Sequence, residues 1–259
     1  MIIEVLLISN EVCWERDILQ DRYAGDVGDF GKLGMLRKIA NAGLKVGVNW
    51  YLTYKPEEHR NEDGKHTGYL NNNEFKGCDD KLLESLRVIA SGRRSVAALE
   101  QANLIPGACY FSEILKSGND NNFFRAAWHQ KAQSTLINSE IIFCDPDNGL
   151  LVKSVSLGSS KSDKYVTEQE LVSYYISGKS VVFYNHRSRE KEHLYLQRFV
   201  SLQMKDELAS AKWMGLKYNR GTTRDYFFIL QPYHIRQVTI ALEEMLQSNW
   251  NKHFSMLEI

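Results

Sequence analysis

Only four cysteines occur in the 259 residues, Cys13, Cys78, Cys109 and Cys144, and no two of them form a CxxC pair. Such scattered thiols argue against a disulfide framework or a cysteine zinc site and read as reduced side chains in a cytosolic protein. Net charge is also missing, because 32 Lys and Arg balance 32 Asp and Glu. A protein that coats nucleic acid through bulk positive charge is thereby disfavoured, and any basic face has to be local. No stretch approaches the ~18 apolar residues of a membrane span. The opening run MIIEVLLI is short, carries Glu4, and leads to Asn10, Glu11 and Glu15 rather than to a small-residue cleavage site. It reads as a strand or a start-site extension, not a signal peptide. Repeats, low-complexity tracts and a clear linker are lacking too, so one domain over 1–259 is expected, with 1–22 as an N-terminal extension.

What is present is ordinary in amount, at 43% hydrophobic and 25% charged, and unusual in one place. Residues 23–36 read YAGDVGDFGKLGML, with four glycines, two aspartates and a lysine ahead of a helical apolar run. Leu33, Leu36, Ile39 and Ala40 have helical spacing, and Gly43 stops the run. Asp29 and Lys32, three apart, share a helix face if the helix begins near Asp29. Gly31 and Gly34 permit close packing of that helix on a sheet.

The rest of the chain alternates. A strand is expected from Val46 to Leu52, then a polar loop from Tyr54 to Gly68 holding His59, Glu62, Asp63 and His66. A helical region spans 79–102, a short strand Ala108 to Phe111, a helix Phe123 to Leu136 and a buried strand Glu140 to Cys144. Helix 167–177, strand Ser180 to Tyr184 and one long helix 188–208 follow. Strands Lys212 to Tyr218 and Asp225 to Leu230 form a hairpin, and a helix from about His234 to Asn249 closes the chain. This order implies an α/β fold: a Rossmann-like, mostly parallel sheet with a closing antiparallel hairpin, the pattern of methyltransferases.

In such sheets ligands sit beyond the carboxyl ends of the strands. Asp145-Pro146-Asp147-Asn148-Gly149 leaves one buried strand there, and His186, Arg187 and Arg189 leave the next. The first group suits a metal site or an acceptor for a substrate amine, and equally a plain turn. Between His186 and Asp225 nine Lys and Arg face five Asp and Glu, which suits phosphate contact or a solvated helix face. His59 and His66, seven apart in a loop, have no fixed geometry for a metal.

The opening motif resembles the N-terminal signature of the bacterial 23S ribosomal RNA adenine-N6 methyltransferases, approximately HAGNxADxxKH, with Ala24, Gly25, Asp29 and Lys32 in register. Phe111-Ser112-Glu113 stands at that family's second-strand acid, and Asp145-Pro146 at its DPPY. Where the family has a glycine-rich loop of the form DxHAGxG, this chain has Asn49-Trp50-Tyr51-Leu52-Thr53-Tyr54. Asp147-Asn148 replace Pro-Tyr, Asp26 replaces asparagine and Leu33 replaces histidine. The chain also resembles a group of bacterial and phage-borne proteins sharing GDxGDFGKxxLLR and FxDPDNG.

The resemblance implies a methyltransferase-like protein acting on a nucleic acid or nucleotide, with AdoMet as cofactor. Asp145, Asp147, Lys32 and Asp29 would carry the chemistry, and Asp26 and Glu113 would bind the cofactor, Glu113 at a ribose hydroxyl. Asn148, His186, Arg187 and Arg189 would bind substrate. The missing glycine loop implies weak AdoMet binding. Two other readings stand beside this one. In the first, Asp26, Asp29, Asp145 and Asp147 hold Mg²⁺ or Mn²⁺ in a nuclease or phosphodiesterase. The second is a ligand sensor without catalysis on the same scaffold.

Overall fold

A computed structural model describes residues 18–54, 66–116 and 121–259. The MIIEVLLI run, Cys13, His59, Glu62 and Asp63 lie outside these residues. In chain order the elements are α1 (Val27–Asn41), β1 (Val46–Asn49), α2 (Asp80–Ser91), α3 (Val96–Gln101), β2 (Cys109–Phe111), α4 (Asn121–Thr135), β3 (Ile141–Cys144), β4 (Gly149–Leu150) and β5 (Tyr165–Val166). Then come α5 (Glu168–Ile176), β6 (Ser180–His186), α6 (Glu192–Leu196), α7 (Val200–Gln203), β7 (Lys212–Arg220), β8 (Thr222–Leu230), α8 (Ile235–Leu246) and β9 (Phe254–Leu257).

Seven strands form one sheet in the order β2-β1-β3-β6-β8-β7-β9. The first four run parallel, and β8, β7 and β9 then alternate in direction. This mixed α/β arrangement is compatible with a Rossmann-like fold. From β1 the chain moves outward to β2 and returns on the other side as β3, so the connections diverge between the carboxyl ends of β1 and β3. That divergence is the crevice where open α/β sheets hold ligands.

Alternating side chains feed two cores. Val46, Val48, Phe143, Val182, Tyr226 and Phe228 pack with α1, α2 and α8 on one face. Ile142, Cys144, Val181, Phe183 and Phe227 pack with α4, α5 and Tyr195 on the other. Helix α1 sits unusually close to its partners. A Cβ on Gly31 would lie 2.6 Å from the Tyr218 ring and one on Gly34 2.3 Å from Trp250, while at Gly28 it would lie 2.7 Å from the Arg224 guanidinium. The three glycines, each three residues apart, are a contact stripe.

Several expectations need correction. The 79–102 helix is two, because the chain breaks at Gly92 and Ser95 caps α3 by accepting from the Ala98 amide. The long 188–208 helix is the short pair α6 and α7 with 3₁₀ turns, since Phe199 packs on Phe227 at 4.1 Å and tertiary contact outweighs helical continuity. The first strand ends at Asn49, not Leu52, because Tyr51 takes φ +50° and turns the chain. The hairpin strands run longer and meet at the single residue Gly221, φ +69°. Edge strand β9 and the small β4-β5 pair were not anticipated. No helix among the described residues is long and apolar enough to cross a membrane.

Candidate functional site

Asp26 ends the approach to α1 in extended conformation and caps it, its carboxylate accepting from the Asp29 amide at 2.9 Å. Asp29 reaches back to accept from the Gly25 amide at 2.8 Å. Asp26 therefore satisfies an amide that the first turn leaves open, and Asp29 ties down the amide just ahead of the cap. One turn on, Lys32 Nζ lies 2.8 Å from Asp29 and 2.6 Å from Asp145 at the end of β3. It also sits 5.0 Å from the centre of the Trp50 ring, at the end of β1. The ammonium thus bridges the crevice between β1 and β3.

A cavity of about 370 Å³ opens there. Asp26, Asp29, Lys32, Asp145, Asp147, Asn148, His66 and His186 line it, joined by Trp50, Tyr184, Arg224 and Tyr226. Asp147 pairs at its rim with Lys164 at 3.3 Å. The far wall is a tile of two strands, where Tyr184 opposes Tyr226 and His186 opposes Arg224. Arg224 lies 3.6 Å from Asp26 and donates to the carbonyls of Arg220 and Thr222.

Burial sets the electrostatics. It disfavours the Lys32 ammonium, but Asp145 and then Asp29 outweigh it, so the lysine pKa lies above its ordinary value. Burial pushes Asp145 above the usual carboxylate range, opposed by Lys32. Asp26 is raised by burial and by Asp29, against Arg224. His186 is lowered by burial and by Arg224, which favours the neutral imidazole.

Three expected residues fall elsewhere. Glu113 is half exposed, pairs with Lys131 at 2.9 Å, and does not line the cavity. Arg187 is one residue past His186, so alternation sends it to the opposite face, where it pairs with Asp225 at 2.8 Å and stacks on Tyr195. Arg189 is exposed beyond the strand and outside the lining. Sequence reasoning missed Trp50, Tyr184, Arg224 and Tyr226. Parity was the available signal for the three on β6 and β8, since each shares the alternation of His186 across the paired strands.

The resemblance implies AdoMet, and the turn after β1 tests the fit. A glycine loop would leave bare backbone beside the cofactor, but here Trp50, Tyr51 and Leu52 are each 2% exposed or less. Trp50 donates to Glu100 at 2.7 Å and stacks on Tyr110. Tyr51 fills the left-handed position and donates to Glu170, which Arg125 clamps at 2.6 Å. These residues do not fit AdoMet in its usual place. For the metal alternative, Lys32 Nζ occupies the point between Asp29 and Asp145 that a bridging cation would take. Among the described residues no three His, Cys, Asp or Glu side chains are arranged to hold a metal ion.

No protein-family model and no curated protein matches the sequence. Among solved structures the chain is similar to protein LPL1258 from Legionella pneumophila str. Philadelphia 1, described with the family model DUF519, at a TM-score of 0.43 and 12% identity over 90% of this chain and 97% of that one. A likeness at that level leaves function to be read from the site.

Proposed function

We propose that this chain is a methyltransferase-like protein that acts on a nucleic acid or nucleotide by holding an amine-bearing base in the crevice between β1 and β3. The observation that carries this reading is Asp145, held at the end of β3 by Lys32 in a cavity that Trp50, Tyr184 and Tyr226 also line. A carboxylate so fixed accepts a hydrogen bond from an exocyclic amine, and flat rings suit a planar ligand. The aromatic group missing beside Asp145 in the sequence is supplied by other strands. Lys32 holds the Asp29 and Asp145 carboxyl groups in place, and Asn148 and His186 offer further polar contacts at the rim. The turn after β1 does not fit the methyl donor of the family the chain resembles.

Thermal-shift titration of the full chain tests the reading, since a ligand that binds only the native state raises its apparent stability. Nucleosides, nucleoside monophosphates and single-stranded oligonucleotides are expected to include binders, while AdoMet, Mg²⁺ and Mn²⁺ alone give no shift. Tight stoichiometric AdoMet binding by calorimetry would restore a methyl donor, and a shift with Mg²⁺ alone would favour the phosphodiesterase.

A further inference from the structure

We infer that the cavity admits the amine-bearing base of its ligand and excludes phosphate, and that the hydroxyl of Tyr226 is a base-binding group. The inference rests on the nucleobase reading above and names the part of the ligand that enters.

The first support is charge. Four carboxylates, Asp26, Asp29, Asp145 and Asp147, line the cavity against two cations in its lining, Lys32 and Arg224, and one at its rim, Lys164. All three are committed, Lys32 to Asp29 and Asp145, Arg224 to Asp26 and two backbone carbonyls, and Lys164 to Asp147. His186 adds no dependable charge, because burial and Arg224 hold it below the ordinary histidine value. A phosphate group inside would have to displace carboxylates from these cations and then lie beside them. A neutral or cationic ring meets no such opposition, and electron-rich aromatic walls favour a positive edge.

The second support is independent of charge. Tyr226 is 1% exposed as a residue and lines the cavity, and its hydroxyl makes no hydrogen bond to the protein among the described residues, so it is open to whatever fills the cavity. Fully buried polar groups are nearly always paired, whereas a hydroxyl open to a cavity and without a protein partner is left to water or to a ligand. Neighbouring buried tyrosines follow the rule: Tyr218 donates to the Val27 carbonyl at 2.9 Å, and Tyr69 to the Gly25 carbonyl at 3.1 Å. Burial also raises the Tyr226 pKa well above its ordinary value, so the phenol stays a neutral donor. Donation to a ring nitrogen by Tyr226 and acceptance from the exocyclic amine by Asp145 would together read one edge of a base. The cavity volume lies within the ~300–1,000 Å³ common for small ligands.

Calorimetric titration of the full chain with adenosine, cytidine, uridine, inosine and adenosine monophosphate tests this. Adenosine or cytidine is expected to bind about tenfold more tightly than its carbonyl counterpart, inosine or uridine. The monophosphate should bind at least tenfold more weakly than adenosine, and Asp147→Asn should narrow that gap. Tyr226→Phe is expected to weaken nucleoside binding about tenfold without lowering the melting temperature. If the monophosphate binds as tightly as adenosine, phosphate exclusion is overturned while the nucleobase reading stands. Unchanged nucleoside affinity in Tyr226→Phe overturns the role of that hydroxyl. If no nucleoside, nucleotide or single-stranded oligonucleotide binds, both this inference and the proposed function fall.

Discussion

Lys32 carries more than its own charge. It lies within hydrogen-bond distance of two buried carboxylates and over an indole, so replacing it by methionine keeps much of the volume and leaves Asp29 and Asp145 without their cation. Breaking a buried pair on one side costs about 3–5 kcal/mol, because the remaining charge is uncompensated. Lys32→Met is therefore expected to lower stability by that order in urea denaturation, and adding Asp145→Asn should recover part of the loss. If Lys32→Met alone proved neutral, the bridge would be an accident of proximity. Asp26 and Asp29 show how a short motif can serve two ends. Both bind amides at the start of α1, which is their structural role, and both face the cavity with Lys32. The spacing of Asp29 and Lys32 made their shared helix face legible in the sequence. The partner Asp145 is 113 residues away, and the strand-end placement of DPDN is what makes one pocket with Asp26, Asp29 and Lys32 expected from the sequence, and all four line the cavity.

At the scale of elements, the glycine stripe of α1 invites a test of opposing effects. Alanine is favoured over glycine in a helix by about 1 kcal/mol. At Gly31 the added Cβ would stand 2.6 Å from the Tyr218 ring, and overpacking of that kind costs about 1–3 kcal/mol. Gly31→Ala should therefore destabilise the protein on balance, and Tyr218→Leu in the same chain should relieve it; thermal melts of the two variants check the sign. The parallel strands were readable because each is a short apolar run ending in turn residues. Alternation within β6 carried a finer message that grouping His186, Arg187 and Arg189 by proximity overlooked. The broken helix after β6 was not legible, because its anchors Tyr195, Phe199 and Leu202 keep near-helical spacing while packing forces the backbone to kink. Strand β9 was hidden for another reason, since four residues following a helix carry little periodic signal and gain strand form only by pairing with β7.

For the molecule as a whole, buried imidazoles predict acid sensitivity. His129, His234 and His253 all have folded pKa values below the ordinary value, with burial the leading cause. The unfolded chain takes up these protons near pH ~6.5, before the folded one does, so stability is full above that pH and falls as pH drops towards the folded values. Asp26, Asp145 and Asp225 have raised folded values and act in the opposite sense, in the window above the ordinary carboxylate range. A fall in melting temperature is thus expected on going from about pH 7 to about pH 6, where the histidines lead. His129 has no hydrogen-bond partner for either ring nitrogen among the described residues and packs edge-on to Tyr174. His129→Leu should flatten that slope with little loss at neutral pH, and an unchanged slope would remove His129 from the account.

The crevice is bridged between distant parts of the chain, 113 residues apart for Lys32 and Asp145, and α1 is tied to β7 across 191 residues by Tyr218 and Val27. Closing long loops costs chain entropy before any contact repays it, so non-local contacts of this kind form slowly. The ligand site should therefore take shape after the rate-limiting step of folding rather than before it. A bound base would then stabilise the native state without stabilising the transition state. In stopped-flow experiments adenosine at ~100 times its Kd is expected to slow unfolding by about 100-fold and to leave the refolding rate unchanged. A ligand that sped refolding instead would mean that Lys32 and Asp145 meet early, with the crevice acting as a nucleus around which the sheet is built.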